Sequence, residues 1–215
     1  KDIIALRFGL AEEINNLVKV IPLSGVYQPR RGNIVIGKCG LITFNGWVID
    51  LGTAENAFLP IMETPRFVAK DRLDEVMRIG DLAVVQIFGI NGRGIDLTMK
   101  ARGLGVIDEG IIFKINSNKV PRVIGKEGSM IRIIREYTNC NITVGQNGFV
   151  WIKGDRIEDE LFAKRAILFI TEKSFMEGLT ERVEKWFKEN GGVKKESKRH
   201  DERKEENFEG EREWV

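Results

Sequence analysis

Histidine is almost absent from these 215 residues, and the single example, His200, lies in a stretch that is nearly all charged. A histidine-based catalytic triad and a multi-histidine metal centre are thereby excluded. Cysteine is nearly as scarce. Cys39 and Cys140 each stand alone, so neither a disulfide framework nor a CxxC zinc site is available. Both read as small buried hydrophobes in a reducing compartment. No segment approaches the roughly 20 apolar residues of a membrane span, and Lys1 to Phe8 lack a signal-peptide core. The expectation is an unsecreted, cytoplasmic protein without membrane contact. Lys1 opens the chain where a methionine would stand, which points to a missing N-terminal piece.

Phosphate-binding glycine loops of the Walker and Rossmann kinds are missing too. GINGRGID, residues 89–96, opens no helix and reads as a hairpin turn. Asp50, Asp81 and Asp96 are isolated at strand edges, where turn formation explains them. No pair of carboxylates suited to acid–base work stands out. The chain is therefore expected not to be an enzyme and to need no metal or cofactor.

What is present is 42% hydrophobic residues, enough for two compact cores in a chain of this length. Net charge is +2, but it is unevenly spread. Residues 106–154 carry 7 Lys/Arg against 4 Asp/Glu, whereas residues 155–215 carry 14 against 17. A mid-chain surplus of cations is where a polyanion would be held.

Residues 1–33, with the alternating run LVKVIPL, form a β module too short to bury a core alone, so it needs a partner surface. From 34 to 103 five β-type runs follow: IVIGKC, LITFNGWVIDL, NAFLPI, DLAVVQIFGI and GIDLTMKA. A polar, helix-compatible insert, residues 63–78, separates the third from the fourth. Five strands with that longer connection have the rhythm of an OB barrel, a fold that displays oligonucleotides on one face. RGLGVIDEG, residues 102–110, reads as a glycine-rich linker. Residues 104–175 then follow a βααββα order, residues 176–192 carry a helical stripe with Leu179, Val183, Trp186 and Phe187, and residues 193–215 form a charged tail. The fold class is thus mainly β plus α/β.

VIGKEGSM, residues 123–130, joins two short helices through Gly125, Lys126, Glu127 and Gly128. Glycines let backbone approach a ligand closely, and the second helix aims free N–H groups and its positive dipole end at the loop. Within a βααββα unit this resembles the GXXG loop of a type I KH domain, whose groove holds about four nucleotides. Ile124 and neighbouring apolar residues are expected to line that groove, with Arg122, Lys126 and Arg132 offsetting the carboxylate of Glu127. In the barrel, Phe44 and Trp47 in FNGWV, and Phe58 in AFLPI, are candidate stacking rings. Their pattern resembles the S1-type subclass of OB fold, although Pro60 stands where many such domains hold a histidine. Lys38 is a candidate phosphate contact. For each ring, burial in the core is the competing reading.

Taken together, the chain resembles the cap subunits of the archaeal RNA exosome. The residues that carry this resemblance are GVYQPRRGNIVIG at 25–37, GWVID at 46–50, NKVPRVIGKEGSM at 118–130, and GQNG at 145–148 with Trp151. Asn33 departs from the aspartate usual in the first motif. The resemblance implies a buried, structural GQNG segment and three copies seated on a hexameric ring of phosphorolytic exoribonuclease subunits. The N-terminal module would dock on that ring. It also implies capture of single-stranded, poly(A)-like RNA, whose 3′ end would be guided inward. A ribosome- or translation-associated RNA-binding role is the alternative, since S1-type and KH modules occur there too.

Overall fold

The computed structural model describes residues 4, 9–14, 17–22, 25–66, 68–174, 176 and 178–194. The N-terminal module is an antiparallel hairpin of β1 (Gly9–Ile14) and β2 (Leu17–Pro22), registered from Gly9 opposite Pro22 to Ile14 opposite Leu17. It forms a separate two-stranded sheet, and Leu17 on it is 70% exposed. A lone hairpin with exposed apolar residues is marginally stable in water.

Five strands close the barrel: β3 (Ile34–Thr43), β4 (Gly46–Asp50), β5 (Ala57–Pro60), β6 (Leu82–Asn91) and β7 (Gly94–Thr98). Their order is β3-β4-β5-β7-β6, and β6 pairs again with β3 to complete the ring. Three details differ from the sequence expectation. IVIGKC and the start of the next run form one continuous strand, β3, with an irregularity between Cys39 and Leu41 that bends it from β6 onto β4. The expected linker at residues 102–110 contains a sixth strand, β8 (Gly105–Ile107), paired with β6. Among its described residues the helix-compatible insert holds one short helix, α1 (Leu73–Val76). Period-two alternation fills the barrel: Val35, Cys39, Trp47, Ile49, Ala57, Leu59, Ile87 and Leu97 point inward and are buried.

The second domain runs β9 (Ile111–Lys114), α2 (Val120–Ile124), α3 (Ser129–Thr138), β10 (Asn141–Val144), β11 (Phe149–Lys153) and α4 (Ile157–Glu172). Its antiparallel sheet has the order β10-β11-β9, and the helices cover one face. This is the expected βααββα topology. A terminal helix, α5 (Leu179–Glu189), adds Val183 and Phe187 to the same core. There the Phe187 ring lies parallel to Tyr137 with centroids 4.4 Å apart. Most of the expected charged tail, residues 195–215, lies outside the described residues, as does the start of the N-terminal module.

Barrel and second domain meet at the GQNG turn. The first part of β3 pairs only with β6, because β4 joins β3 from Lys38 onward. That leaves one edge of Ile34–Gly37 open, and open strand edges demand cover. The turn covers it: the Gln146 N–H donates to the Ile34 carbonyl (2.8 Å), and the Asn147 amide bonds both backbone groups of Ile36.

Candidate nucleic-acid interface

The loop between α2 and α3 requires glycine at its first position. Gly125 has φ 74° and ψ 171°, a region nearly closed to other residues, and a Cβ there would lie 2.7 Å from the Met130 nitrogen. Its N–H closes α2 by donating to the Pro121 carbonyl (2.9 Å). Glu127 (φ 53°) and Gly128 (φ 77°) are left-handed, so the chain reverses within four residues and enters α3. A Cβ at Gly128 meets nothing within 4 Å. Lys126 and Glu127 are exposed at the tip, and no side chain caps α3. The first N–H groups of a ten-residue helix thus sit beside an open glycine, the arrangement that accommodates a phosphate.

Around this loop Arg122 on α2 and Arg132 on α3 are exposed, and Ile124 and Ile131 are partly buried at the surface. Val123, Ile134 and Ile142 are fully covered and form the floor beneath, so Ile124 and Ile131 are the apolar surface there rather than the wider set the sequence suggested. Arg135 is committed to structure: its guanidinium donates to the Ile142 carbonyl of β10 at 2.8 Å.

The candidate rings of the barrel separate sharply. Trp47 is 0% exposed, and its indole N–H donates to the Met77 carbonyl at 3.0 Å. It is a core residue and cannot stack a base, which corrects the sequence expectation. The cause is strand parity. Phe44 and Asn45 form the turn between β3 and β4, so Trp47 takes its direction from Ile49, which faces the core, and not from Phe44. Phe44, at the turn, is 78% exposed. Phe58 alternates outward between buried Ala57 and Leu59 and is half-buried. Opposite it on β4 is Val48, itself opposite Leu41 on β3, so an apolar row crosses three strands of the outer face. Sequence reasoning passed over Leu41 and Val48, although their parity with Trp47 and Ile49 marks them as outward. Lys38 is exposed, across from Asp50 in the β3–β4 register.

Among the described residues no group of three or more His, Cys, Asp or Glu side chains is placed to hold a metal ion. Perturbed ionisations lie elsewhere. Burial pushes the Tyr27 phenol up to about 12, and its hydroxyl donates to Asn33 Oδ1 at 2.8 Å. A hydrogen bond from Thr98, with smaller help from the Lys100 ammonium, holds the Glu63 carboxyl below its ordinary value.

Comparison with known proteins agrees with this geometry. A KH domain family model matches residues 110–158. The chain is 38% identical over 191 residues to exosome complex component Rrp4 of Methanothermobacter thermautotrophicus, covering 87% of this chain and 60% of that protein. It thus spans about three-fifths of that relative's length. Rrp4 of Nitrosopumilus maritimus is 36% identical over 88% of this chain and 85% of its own length. Rrp4 of Pyrococcus furiosus is 41% identical, with 81% and 69% covered. A crystal structure described as an exosome complex RNA-binding protein superposes with a TM-score of 0.68 and 31% identity, over 78% of this chain and 98% of its own. With matches of this extent on both sides, the chain belongs to the Rrp4 family of exosome complex components.

Proposed function

We propose that this chain is a non-catalytic, RNA-binding cap subunit of an exosome. One observation carries the reading: an open, glycine-built phosphate seat and an exposed aromatic turn lie on two domains bonded into one frame through Asn147. Single-stranded RNA, poly(A)-like tails among it, is held by Arg122, Ile124, Gly125, Lys126, Gly128 and Arg132 on the KH side. Lys38, Phe44 and Phe58 hold it on the barrel side. Trp47 only supports the hairpin that bears Phe44.

In the same reading the β1–β2 hairpin, with Leu17 and Val18 exposed, buries its apolar face on a hexameric ring of phosphorolytic exoribonuclease subunits. Three copies surround the opening in the cytoplasm, capture RNA and lead its 3′ end inward, where other subunits break the chain. Each contact is modest, but linked contacts raise effective concentration, so three caps together hold RNA that one releases.

The test combines the purified chain, labelled oligo(A) and a reconstituted phosphorolytic ring. Expected results are salt-sensitive binding, no shortening of RNA by the chain alone in phosphate and magnesium, and faster shortening when ring and chain are combined. Shortening by the chain alone, or failure to join the ring together with co-sedimentation on ribosomes, overturns the reading.

A further inference from the structure

The connection between β5 and α1 folds into a cleft of about 260 Å³ at one end of the barrel, walled by Ile61, Met62, Pro65 and Val68 and rimmed by Arg66 and Lys70. The wall is braced from within: the Thr64 hydroxyl lies 2.7 Å from the Ile61 carbonyl and 2.8 Å from the Arg66 carbonyl. The cleft's position relative to the hairpin tip is fixed by backbone. The Ile61 N–H donates to the Asn45 carbonyl at 2.9 Å, which sets the turn carrying Phe44 beside the cleft. Met62 and Phe44 are 74% and 78% exposed, and so are among the most open apolar side chains of the barrel. Arg66 and Lys70 are exposed as well, and neither takes part in an ion pair among the described residues.

These features are the complement of one nucleotide. The volume falls just under the roughly 300 Å³ at which pockets for drug-sized ligands begin, room for a single planar ring system. Its lining contains no carboxylate, and two unpaired cations at the mouth suit a polyanion. Exposed aromatic rings are how sequence-tolerant single-strand sites hold bases, and Phe44 is such a ring on the turn whose backbone Ile61 bonds. A protein partner covering the same surface would more naturally bring carboxylates to Arg66 and Lys70, and that becomes an outcome of the test.

We infer that this cleft is a ribonucleotide subsite: it takes one base between its apolar walls and the Phe44 turn, while Arg66 and Lys70 hold the adjoining phosphate. The inference rests on the RNA-binding reading above and extends the barrel's contact surface beyond Lys38 and Phe58 to Ile61, Met62, Pro65, Arg66, Val68 and Lys70.

The test uses the full chain and an oligo(A) carrying a single 4-thiouridine, cross-linked and mapped by mass spectrometry, beside affinities of Phe44→Ala and of an Arg66→Glu/Lys70→Glu double variant. Expected are cross-links to residues 61–70 or to Phe44, and a fall in affinity of roughly 5- to 150-fold for Phe44→Ala. The double variant is expected to lose about 0.7 from the salt slope, the share of the one phosphate the two cations hold on a single strand. Unchanged thermal unfolding checks that these exposed changes leave the fold intact. Cross-links confined to residues 124–132, with wild-type affinity and slope in the double variant, overturn the subsite and leave the RNA-binding reading standing. A double variant that binds RNA normally but no longer joins the ring also overturns it, assigning the cleft to protein. Absence of any RNA binding at low salt removes both.

Discussion

Asn147 and Ile36 lie 111 positions apart and are bonded in both directions: the Asn147 Nδ2 donates to the Ile36 carbonyl at 2.7 Å, and the Ile36 N–H donates to Asn147 Oδ1 at 3.3 Å. The same Nδ2 donates to the Leu51 carbonyl at 3.1 Å. All of this is buried, so one side chain satisfies three backbone groups at the junction of the two domains. Asn147→Ala strands them and is expected to cost about 3 kcal/mol, a fall in midpoint of roughly 6–12 °C. Thermal or urea unfolding checks it, and separation into two transitions is expected as barrel and KH domain uncouple. A single transition at the wild-type midpoint would mean that the clamp contributes nothing.

Trp47→Phe keeps an aromatic ring but removes the pyrrole half of the indole, and with it the N–H that serves the Met77 carbonyl. A stability loss of about 1–2 kcal/mol is expected, with RNA affinity unchanged. Trp47→Ala empties the barrel core and is expected to cost about 3–5 kcal/mol. Affinity at low salt and chemical denaturation separate the two effects. Weaker RNA binding by Trp47→Phe at full stability would return Trp47 to the binding surface.

Gly128 has open space where a Cβ would be, so Gly128→Asp pays only for left-handed backbone, about 1 kcal/mol or less for a residue that tolerates it. It also places a carboxylate at the phosphate seat. Reduced RNA affinity with a nearly wild-type melting curve is expected. Glu127→Lys is the reverse experiment at an exposed tip: tighter binding, and a salt slope steeper by about 0.7 for one added phosphate contact. Anisotropy titrations across salt concentrations read both, and two flat responses would make the KH loop purely structural.

Tyr27 gives the alkaline limb of stability. Its folded value, about 12, lies above the ordinary 10.0 because burial disfavours the phenolate. The neutral phenol is therefore the form the fold prefers. Its contribution is complete below pH 10 and is lost as pH rises toward 12. Wild-type unfolding free energy should fall across that window more steeply than that of Tyr27→Phe. Parallel curves for the two proteins would contradict the assignment.

Legibility in the sequence followed the range of the interactions involved. The KH topology was readable because helix stripes and the GKEG turn are local patterns. Leu179, Val183 and Phe187 repeat every four residues, and all three are buried on α5. Trp47 was misplaced for an equally physical reason: alternation holds only within one strand, and the Phe44–Asn45 turn resets the count. β8 was hidden because three residues after a glycine carry little signal, and its strand character comes from pairing with β6. The cleft at residues 61–70 has no periodicity at all. Its walls are drawn together by the Thr64 hydroxyl, and the Phe44 turn joins them only when Ile61 bonds the Asn45 carbonyl.

By itself the sequence determined most of the strands and helices, though not β8, where the glycine loop falls, and the shortage of histidine and cysteine, since these depend on composition and neighbours along the chain. Tertiary structure alone decided which rings face water, that a four-residue turn seals the open edge of β3, and that two cations flank an apolar slot. The first two outcomes depend on barrel closure and domain contact, which bring together groups tens of residues apart that no local pattern relates, and the third on how the connection after β5 folds on itself.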